Sequence, residues 1–306
     1  MNARASISRA MPALGEGMVI ADVLRDQGYC LVSDAIKPDR VEALARDLEP
    51  LFARTAPSVG AFYGGNTKRF HSLLARSTQA ADFVMRPAIL DAVKQVLSPF
   101  CDRIQLNLTQ AIEIMPGGEA QPPHRDQDMW PLHVAGAEYL VNVMWPFVPY
   151  RAGNGATTVW PGSHRRLDEI LIAEDEAVAI DMNPGDALLF LGSTLHRGGA
   201  NRTKKPRRGM IVSYSLGWLK PYELPWLAYP PEIAATFDEE LAALAGYKAH
   251  RPNLGTYEGR CPSLLLQGGD LGLGAIDALR PEQEELIGLY RSGVLQPGAA
   301  PSPAEA

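Results

Sequence analysis

The sequence predicts a mainly β fold, a sandwich or barrel of the jelly-roll kind with helices flanking it. Three observations predict this fold class. Short apolar segments follow one another between residues 103 and 218, and turns rich in Gly and Pro separate them, as in PGG, AGNG and NPGD. Segments with apolar residues at helical spacing lie before and after this region. Many short strands between such turns are typical of sandwiches and jelly rolls.

The first part of the chain, residues 16–100, is predicted to be mainly helical. A helix should end at Gly28, and a second should begin near Pro38, where the missing N–H of proline is harmless. The segments, in chain order, are MVIADVLRDQG (helix), YCLVSD (short strand), KPDRVEALARDLEPLFAR (amphipathic helix) and PAILDAVKQVLSPF (helix).

The β core, residues 103–218, opens with RIQLNLTQAIEIM, which alternates with the two-residue period of a half-buried strand. Further strands are predicted in EYLVNVMWPFV, ATTVW, AVAIDM, DALLFLG and RGMIVSYSLGWL. Residues 219–293 should form helices and loops, with helices in PEIAATFDEELAALAG and PEQEELIGLYRSG. The tail, residues 294–306, is Pro- and Ala-rich and is predicted to be disordered. We expect one domain over residues 1–306.

Composition excludes several classes of function. The net charge of −6 gives no reason to expect nucleic acid or an anionic membrane as a partner, and 46% hydrophobic residues suit a packed core. The three cysteines are scattered without CxxC spacing, which argues against a disulfide framework or a zinc-thiolate site. The N-terminus lacks the apolar core of a secretory signal. We therefore expect a cytoplasmic protein.

The segment QPPHRDQDMWP contains a candidate metal site. His124 and Asp126 are two residues apart, so in a strand they would project from the same face, with Arg125 directed away. His196, at the end of the apolar strand DALLFLGSTLH, can supply a third ligand. Two histidines and one carboxylate on one face leave open positions, as in non-haem Fe(II) oxygenases. The alternative is a solvated, charged loop that contains a histidine by chance.

Arg207 is a candidate for holding a carboxylate. It follows the turn RGGANRTKKP, so we expect it to begin the strand beside the one that ends in His196. A guanidinium there can form a forked pair with a carboxylate group. The alternative is a basic surface turn that also contains Lys204, Lys205 and Arg208. Thr157, in the strand ATTVW, can add a hydroxyl.

Together these segments resemble the phytanoyl-CoA dioxygenase-like family of Fe(II)/2-oxoglutarate oxygenases, over roughly residues 20–260. The pieces that carry the resemblance are HRD, WPFVPYRAGNGATTVWPGSH, NPGDALLFLGSTLHRGGANRT and PRR. The family implies a double-stranded β-helix core, which is a jelly-roll or cupin-like fold. It also implies iron ligation by His124, Asp126 and His196.

The resemblance implies further site residues. Arg207, or Arg208 one residue on, matches the arginine that pairs with the distal carboxylate of 2-oxoglutarate, with Trp145 and Thr157 near the cosubstrate. The sequence departs from the family at Pro122 and Pro123, where a polar residue is common, so Gln110 or Gln121 can replace that contact. Substrate contacts are expected from aromatic and histidine side chains in outer segments, namely Phe62, Tyr63, Phe70, His71, Trp130 and Trp218.

The implied activity uses Fe(II), 2-oxoglutarate and O2 to hydroxylate an apolar small molecule, and a natural product is the expected substrate class. The expected assembly is a homodimer. Halogenases of related fold have a small residue in place of the carboxylate, so Asp126 argues against halogenation. Desaturation, epoxidation and rearrangement stay open. Two other functions also stay open: an inactive jelly-roll protein that binds a small molecule, and a cupin-type metalloenzyme that needs no 2-oxoglutarate.

Overall fold

The computed structural model describes residues 6–7, 16–268 and 272–295. The predicted disordered tail, residues 294–306, lies outside the described residues from residue 296 onward. The strands are β1 (Ser6–Ile7), β2 (Tyr29–Val32), β3 (Thr67–His71), β4 (Ile104–Ile114), β5 (Leu140–Pro146), β6 (Thr157–Val159), β7 (Val178–Ala179), β8 (Ala187–Leu191), β9 (His196–Gly198) and β10 (Arg207–Leu216). The α-helices are α1 (Glu16–Gln27), α2 (Pro38–Arg54), α3 (Ala80–Val84), α4 (Pro87–Leu97), α5 (Pro225–Ala228), α6 (Pro231–Ala234), α7 (Glu239–Leu244) and α8 (Pro281–Arg291).

The strands form two sheets, which confirms the predicted jelly-roll core with flanking helices. The larger sheet has the order β1-β2-β8-β5-β10-β4-β3, and the smaller has the order β7-β6-β9. Neighbouring strands are antiparallel except for the β1–β2 pair. An isolated bridge between His124 and His196 lies at the end of the smaller sheet.

The two faces of the larger sheet have different neighbours. One face packs against helices in the main core, which takes Val143 and Trp145 from β5 together with residues of α1, α2 and α4. The other face turns toward the smaller sheet, and a second cluster there includes Met144 of β5 and Val159 of β6. Consecutive residues of β5 therefore enter different layers, as the two-residue period of a strand requires.

The predicted end of α1 and the predicted start of α2 near Pro38 are confirmed. Helix α1 ends before Gly28, which has a φ of +81°, a conformation that favours glycine. A Cβ at Gly28 would lie 2.6 Å from both the Nδ1 atom of His164 and the Oγ1 atom of Thr194. Thr194 also donates its hydroxyl to the Gly28 carbonyl at 2.7 Å. The end of α1 is thus tied to the turn that precedes His196.

Two segments differ from the predictions. The predicted helix over PEIAATFDEELAALAG is split into α6 and α7, because the Asp238 carboxylate accepts the backbone N–H of Leu241 at 2.8 Å and caps a new helix. Residues 67–71, for which no strand was predicted, form β3, which pairs with β4. Among the described residues, no helix combines the length and apolarity needed to cross a membrane.

Candidate metal centre and its cavity

His124 and Asp126 face the same space, although their segment is not the strand that the spacing suggested. His124 forms a single bridge, and Asp126 begins a 3-10 helix that ends at Met129. The Nε2 atom of His124 lies 3.5 Å from Oδ1 of Asp126. Arg125 is directed away from both, as the spacing predicted. Its guanidinium donates to four backbone carbonyls, those of Ser193, Glu169, Ser163 and Arg166.

His196 joins this pair, but from a different strand position than predicted. It begins β9 in the smaller sheet rather than ending β8, because the chain turns after Leu191, whose carbonyl accepts the backbone N–H of Thr194 at 3.0 Å. His196 and His124 exchange two backbone hydrogen bonds of 3.0 Å each. The Nε2 atom of His196 lies 3.6 Å from Oδ2 of Asp126. One potential ligand atom from each of the three residues lies within 4.8 Å of the others.

Both imidazoles are oriented so that Nε2 is free to bind a metal. The Nδ1 atom of His124 donates to the Pro122 carbonyl at 2.9 Å, and that of His196 donates to the Thr194 carbonyl at 3.0 Å. Such bonds fix the tautomer that leaves the Nε2 lone pair unprotonated. Burial is the main cause that lowers the pKa of His196, and the neighbouring His124 adds to it. The His196 ring is therefore neutral near pH 7, as a ligand must be.

Arg125 connects the two segments that carry the candidate ligands. It lies between the first two candidates, and its Nε–H donates at 3.0 Å to the carbonyl of Ser193, three residues before the third. The side chain is 6% exposed. Its remaining bonds reach the turn over residues 163–169 behind the site. A buried guanidinium with several carbonyl acceptors holds these loops at a fixed separation.

The three residues open into a cavity of about 410 Å³ between the two sheets. Its apolar lining comes from β4, β5, β8 and β10, and includes Leu108, Ile112, Ile114, Met144, Phe190 and Ile211. Phe62 lies at the rim, with its ring centroid 4.7 Å from that of His124. Tyr63 also lines the cavity, and its hydroxyl contacts that of Tyr222. The predicted roles of Phe62 and Tyr63 at a substrate site are compatible with these positions.

Arg207 lines the cavity from the first residue of β10. It is 2% exposed, its guanidinium carbon lies 4.0 Å from the ring centroid of Tyr150, and its Nη1 donates to the Gly155 carbonyl at 2.9 Å. Its Nε has no hydrogen-bond partner among the described residues. Thr157 of β6 lines the same cavity. The expectation that Arg207 begins the strand beside that of His196 is wrong, because β10 lies between β5 and β4.

Arg208 points out of the cavity. Its guanidinium pairs with the carboxylates of Glu113 and Glu49 on the other side of the sheet. Because neighbouring residues of a strand face opposite sides, only one of the two arginines can reach the cavity. The structure places Arg207 there, and Arg208 is absent from the lining.

A third arginine, Arg69 of β3, was missed by the sequence reasoning. It lines the cavity, donates to Oε1 of Gln110 at 2.9 Å and lies over the Tyr63 ring. Burial lowers the pKa of Arg69 to about 10, which still leaves it cationic at neutral pH. Its Nε is also without a hydrogen-bond partner in the described chain. Nothing in the sequence indicated this role, because Gln110 lies 41 residues from Arg69 and the two meet only through the pairing of β3 with β4.

Gln110 lies where a cofactor contact was predicted, but its amide is engaged within the protein. Its Oε1 accepts from Arg69, and its Nε2 pairs with the Nε2 of His71 at 2.6 Å. His71 is absent from the cavity lining and contacts the lining residue Gln110, so its predicted direct contact with substrate is not seen. Gln121 lines the cavity as well, and its Oε1 accepts the backbone N–H of Gly198 at 3.1 Å.

Four aromatic residues predicted at the site lie elsewhere. Trp145 is fully buried on the helix-facing side, where its ring packs edge-on against Phe83. Phe70 packs against Phe52 in the same core. The indole N–H groups of Trp130 and Trp218 donate to the carbonyls of Lys220 and Phe100, and neither residue lines the cavity. The predicted contacts of these four with a cosubstrate or substrate are therefore wrong.

The amino-acid sequence is similar to those of known proteins. The sequence profile of "Phytanoyl-CoA dioxygenase (PhyH)" matches residues 24–209, more than half of the chain. "Dioxygenase FrzG" from Cladobotryum sp is 30% identical over 270 residues, which cover 79% of this chain and 88% of that protein.

Two solved structures share the fold. The non-heme alpha ketoglutarate dependent epimerase SnoN from nogalamycin biosynthesis aligns with a TM-score of 0.54 and 19% identity, over 69% of this chain and 88% of its own. HygX from Streptomyces hygroscopicus, with nickel and 2-oxoglutarate bound, aligns with a TM-score of 0.54 and 15% identity, over 67% of this chain and 89% of its own.

Proposed function

Because the chain belongs to the phytanoyl-CoA dioxygenase family, we propose that it is an Fe(II)/2-oxoglutarate-dependent dioxygenase that oxidises an apolar, natural-product-like small molecule. The observation that carries the proposal is the convergence of His124, Asp126 and His196 on one cavity. The SnoN and HygX structures, one from nogalamycin biosynthesis and one with 2-oxoglutarate bound, support the same class.

The donor set fits a ferrous ion. Two neutral imidazoles and one carboxylate on one side of a metal leave positions free for a cosubstrate, which is the arrangement that non-haem Fe(II) oxygenases use. His124 and His196 would bind through Nε2, since their Nδ1 atoms donate to carbonyls, and Asp126 would bind through its carboxylate. Bound iron supplies the redox chemistry that couples decarboxylation of 2-oxoglutarate to succinate and CO2 with O2-dependent oxidation of a C–H bond.

The cavity arginines fit a dicarboxylate. Arg207 is buried and Arg69 is half-buried in the lining, and neither forms an ion pair with a carboxylate among the described residues. A buried cation without an anionic partner is unfavourable until an anion binds. We assign the distal carboxylate of 2-oxoglutarate to Arg207, with the Thr157 hydroxyl beside it. Arg69, two strands away in the same sheet, adds positive charge to the same cavity.

The remaining wall fits an apolar substrate. The rim residues Phe62, Tyr63 and Tyr222 close over the side of the cavity that holds His124. Apolar pockets with a few polar groups are typical of sites for small organic molecules. Excluding water from this space protects the reaction from side products. Hydroxylation is the default outcome that we propose.

The proposal is tested by reconstituting the protein with Fe(II) without oxygen and then adding 2-oxoglutarate, O2 and a panel of lipophilic metabolites. We expect succinate to form. Its amount should increase in the presence of a panel member whose product gains the mass of one oxygen atom. Iron binding without any succinate would favour a binding protein. Oxidation that proceeds without 2-oxoglutarate would favour a cupin-type enzyme.

Two further expectations belong to the proposal. We propose a homodimer, supported by exposed apolar side chains on α8, namely Leu286, Ile287 and Tyr290. Sedimentation of the wild-type chain beside a variant with these three changed to Ser tests it, and a monomeric wild type contradicts it. The cytoplasmic location stays a prediction, to be tested by fractionation of the source cells.

A further inference from the structure

Asn142 is a polar residue in the otherwise apolar strand β5, LVNVMWP. It is 1% exposed and faces the cavity, with Phe190 of β8 and Ser213 of β10 as its neighbours in register. A buried amide is unfavourable unless it is hydrogen-bonded. An amide at this position therefore needs a partner that justifies its burial.

The partner is the Asp126 carboxylate. The Nδ2 atom of Asn142 donates to Oδ2 of Asp126 at 2.8 Å, and in the described chain it is the only hydrogen-bond donor to this carboxylate. The amide must present its N–H side, because its oxygen would repel the negative charge of a carboxylate. The other oxygen, Oδ1, lies 3.5 Å from Nε2 of His124. Oδ2 itself lies 3.6 Å from Nε2 of His196, so each oxygen faces one imidazole, and the hydrogen bond from Asn142 is what distinguishes the two.

We propose that Asn142 is a positioning residue that restricts Asp126 to binding iron through Oδ1 alone, and so keeps a neighbouring coordination position free for the keto acid. This inference rests on the proposed function. It concerns neither a ligand atom nor a cosubstrate contact, but the orientation of the one carboxylate in the donor set.

The physical reason is the freedom of an aspartate side chain. Its terminal torsion has broad preferences, so Cβ–Cγ rotation alone does not select one oxygen. Carboxylates bind cations through one oxygen or through both. Binding through both would occupy a second coordination position. A hydrogen bond to an ionised oxygen is stronger than one between neutral groups, so the Asn142 amide opposes that rotation.

The test uses Co(II) and 2-oxoglutarate as probes and requires no substrate. Co(II) is titrated into the full chain, 2-oxoglutarate is then added, and the visible absorption of the metal reports both binding events. Asn142→Leu keeps the approximate volume and removes the donor. Asn142→Asp keeps the shape and replaces the donor with an acceptor. Asn183→Ala is the matched control, because this amide lies on an outer turn where it accepts from Arg151.

We expect Asn142→Leu to bind Co(II) and to lose affinity for 2-oxoglutarate by about tenfold or more, the range typical of residues that orient metal ligands. Asn142→Asp should lose at least as much, and Asn183→Ala should match the wild type. Thermal melts accompany each titration. A purely structural role would lower the melting temperature and leave the 2-oxoglutarate dissociation constant of the folded protein unchanged.

The inference is overturned if Asn142→Leu, or Asn142→Asp should the leucine variant not fold, keeps the wild-type affinity for 2-oxoglutarate within twofold. A wild type that binds Co(II) but shows no spectral response to 2-oxoglutarate gives a different result. That outcome overturns the proposed function itself, and the role of Asn142 with it.

Discussion

The two faces of β5 show how one strand serves stability on one side and chemistry on the other. Val141, Val143 and Trp145 enter the core against the helices, whereas Asn142 and Met144 line the cavity. Every residue of the strand is buried, so burial alone does not distinguish the faces. The helix face is apolar and closely packed. The cavity face adds an amide, and strands β10 and β3 of the same sheet add arginines whose Nε atoms lack partners within the described residues.

The helix face contributes mainly to folding stability, and the cavity face contributes mainly to ligand binding. Apolar burial on the helix face contributes to folding in proportion to the area removed from water. Polar groups left without protein partners on the cavity face weaken folding and are available to a ligand. Substitutions on the helix face should therefore change stability, and substitutions on the cavity face should change binding.

Asp126→Ala should reduce succinate formation by about three orders of magnitude or more, because the proposed donor set would lose its carboxylate, whose attraction to a metal ion is worth several kcal/mol. Its melting temperature should stay near that of the wild type, since the carboxylate lies in the cavity. Asp181→Ala removes an exposed carboxylate and serves as the control. Equal activity of the two variants would contradict the assignment of Asp126 to the active site.

Trp145→Ala should lower the free energy of unfolding by about 3–5 kcal/mol, the usual result of removing a buried aromatic ring. The affinity for 2-oxoglutarate of the protein that remains folded should not change, because the ring faces Phe83 and not the cavity. Urea unfolding and 2-oxoglutarate titration measure the two quantities. Trp145→Phe provides a milder variant. A selective loss of 2-oxoglutarate binding would return Trp145 to the site.

Arg207 and Arg208 form a matched pair on opposite faces of β10. Arg207→Ala should raise the KM for 2-oxoglutarate by about a hundredfold, since a charged hydrogen-bonding partner is lost from a buried site. Arg208→Ala should leave this KM unchanged and lower stability by about 1–2 kcal/mol, because it removes a partner of the buried Glu113. The opposite assignment of effects would show that the strand faces are reversed in solution.

Glu138 precedes β5 and is expected to give the smallest effect. Burial raises the pKa of Glu138 to about 7, although the Ser193 hydroxyl donates to its carboxylate. A raised native pKa means that the folded protein holds the proton more tightly, so this contribution is present below about pH 4.5 and is lost as pH rises to about 7. Between pH 5 and 8, the free energy of unfolding of Glu138→Gln, measured by urea unfolding, should change by about 1–2 kcal/mol less than that of the wild type. Parallel curves for both proteins would contradict the assignment.

Much of the fold was predictable from local patterns. The alternation in β4, the turn glycines and the position of Pro38 each have a local physical cause, and the structure confirms the elements that they predict. The spacing of His124 and Asp126 also predicted that both face one side, because residues two apart tend to do so even in this irregular segment.

The errors have one common cause, which is that long-range packing decides which way a buried side chain points. Strand β5 is apolar on both faces, so its sequence does not reveal that Trp145 faces the helices while Asn142 faces the cavity. The apolar run before His196 conceals a turn at Gly192. Arg69 and Gln110 meet through the pairing of β3 with β4, and a strand was not predicted at β3.

The most direct test is a crystal structure of the protein grown without oxygen with Fe(II) and 2-oxoglutarate, with the iron located by its anomalous scattering. We expect iron bonded to Nε2 of His124, Nε2 of His196 and one oxygen of Asp126. The distal carboxylate of 2-oxoglutarate should pair with Arg207. Iron bound elsewhere, or 2-oxoglutarate absent from the cavity while iron is present, would contradict this expectation.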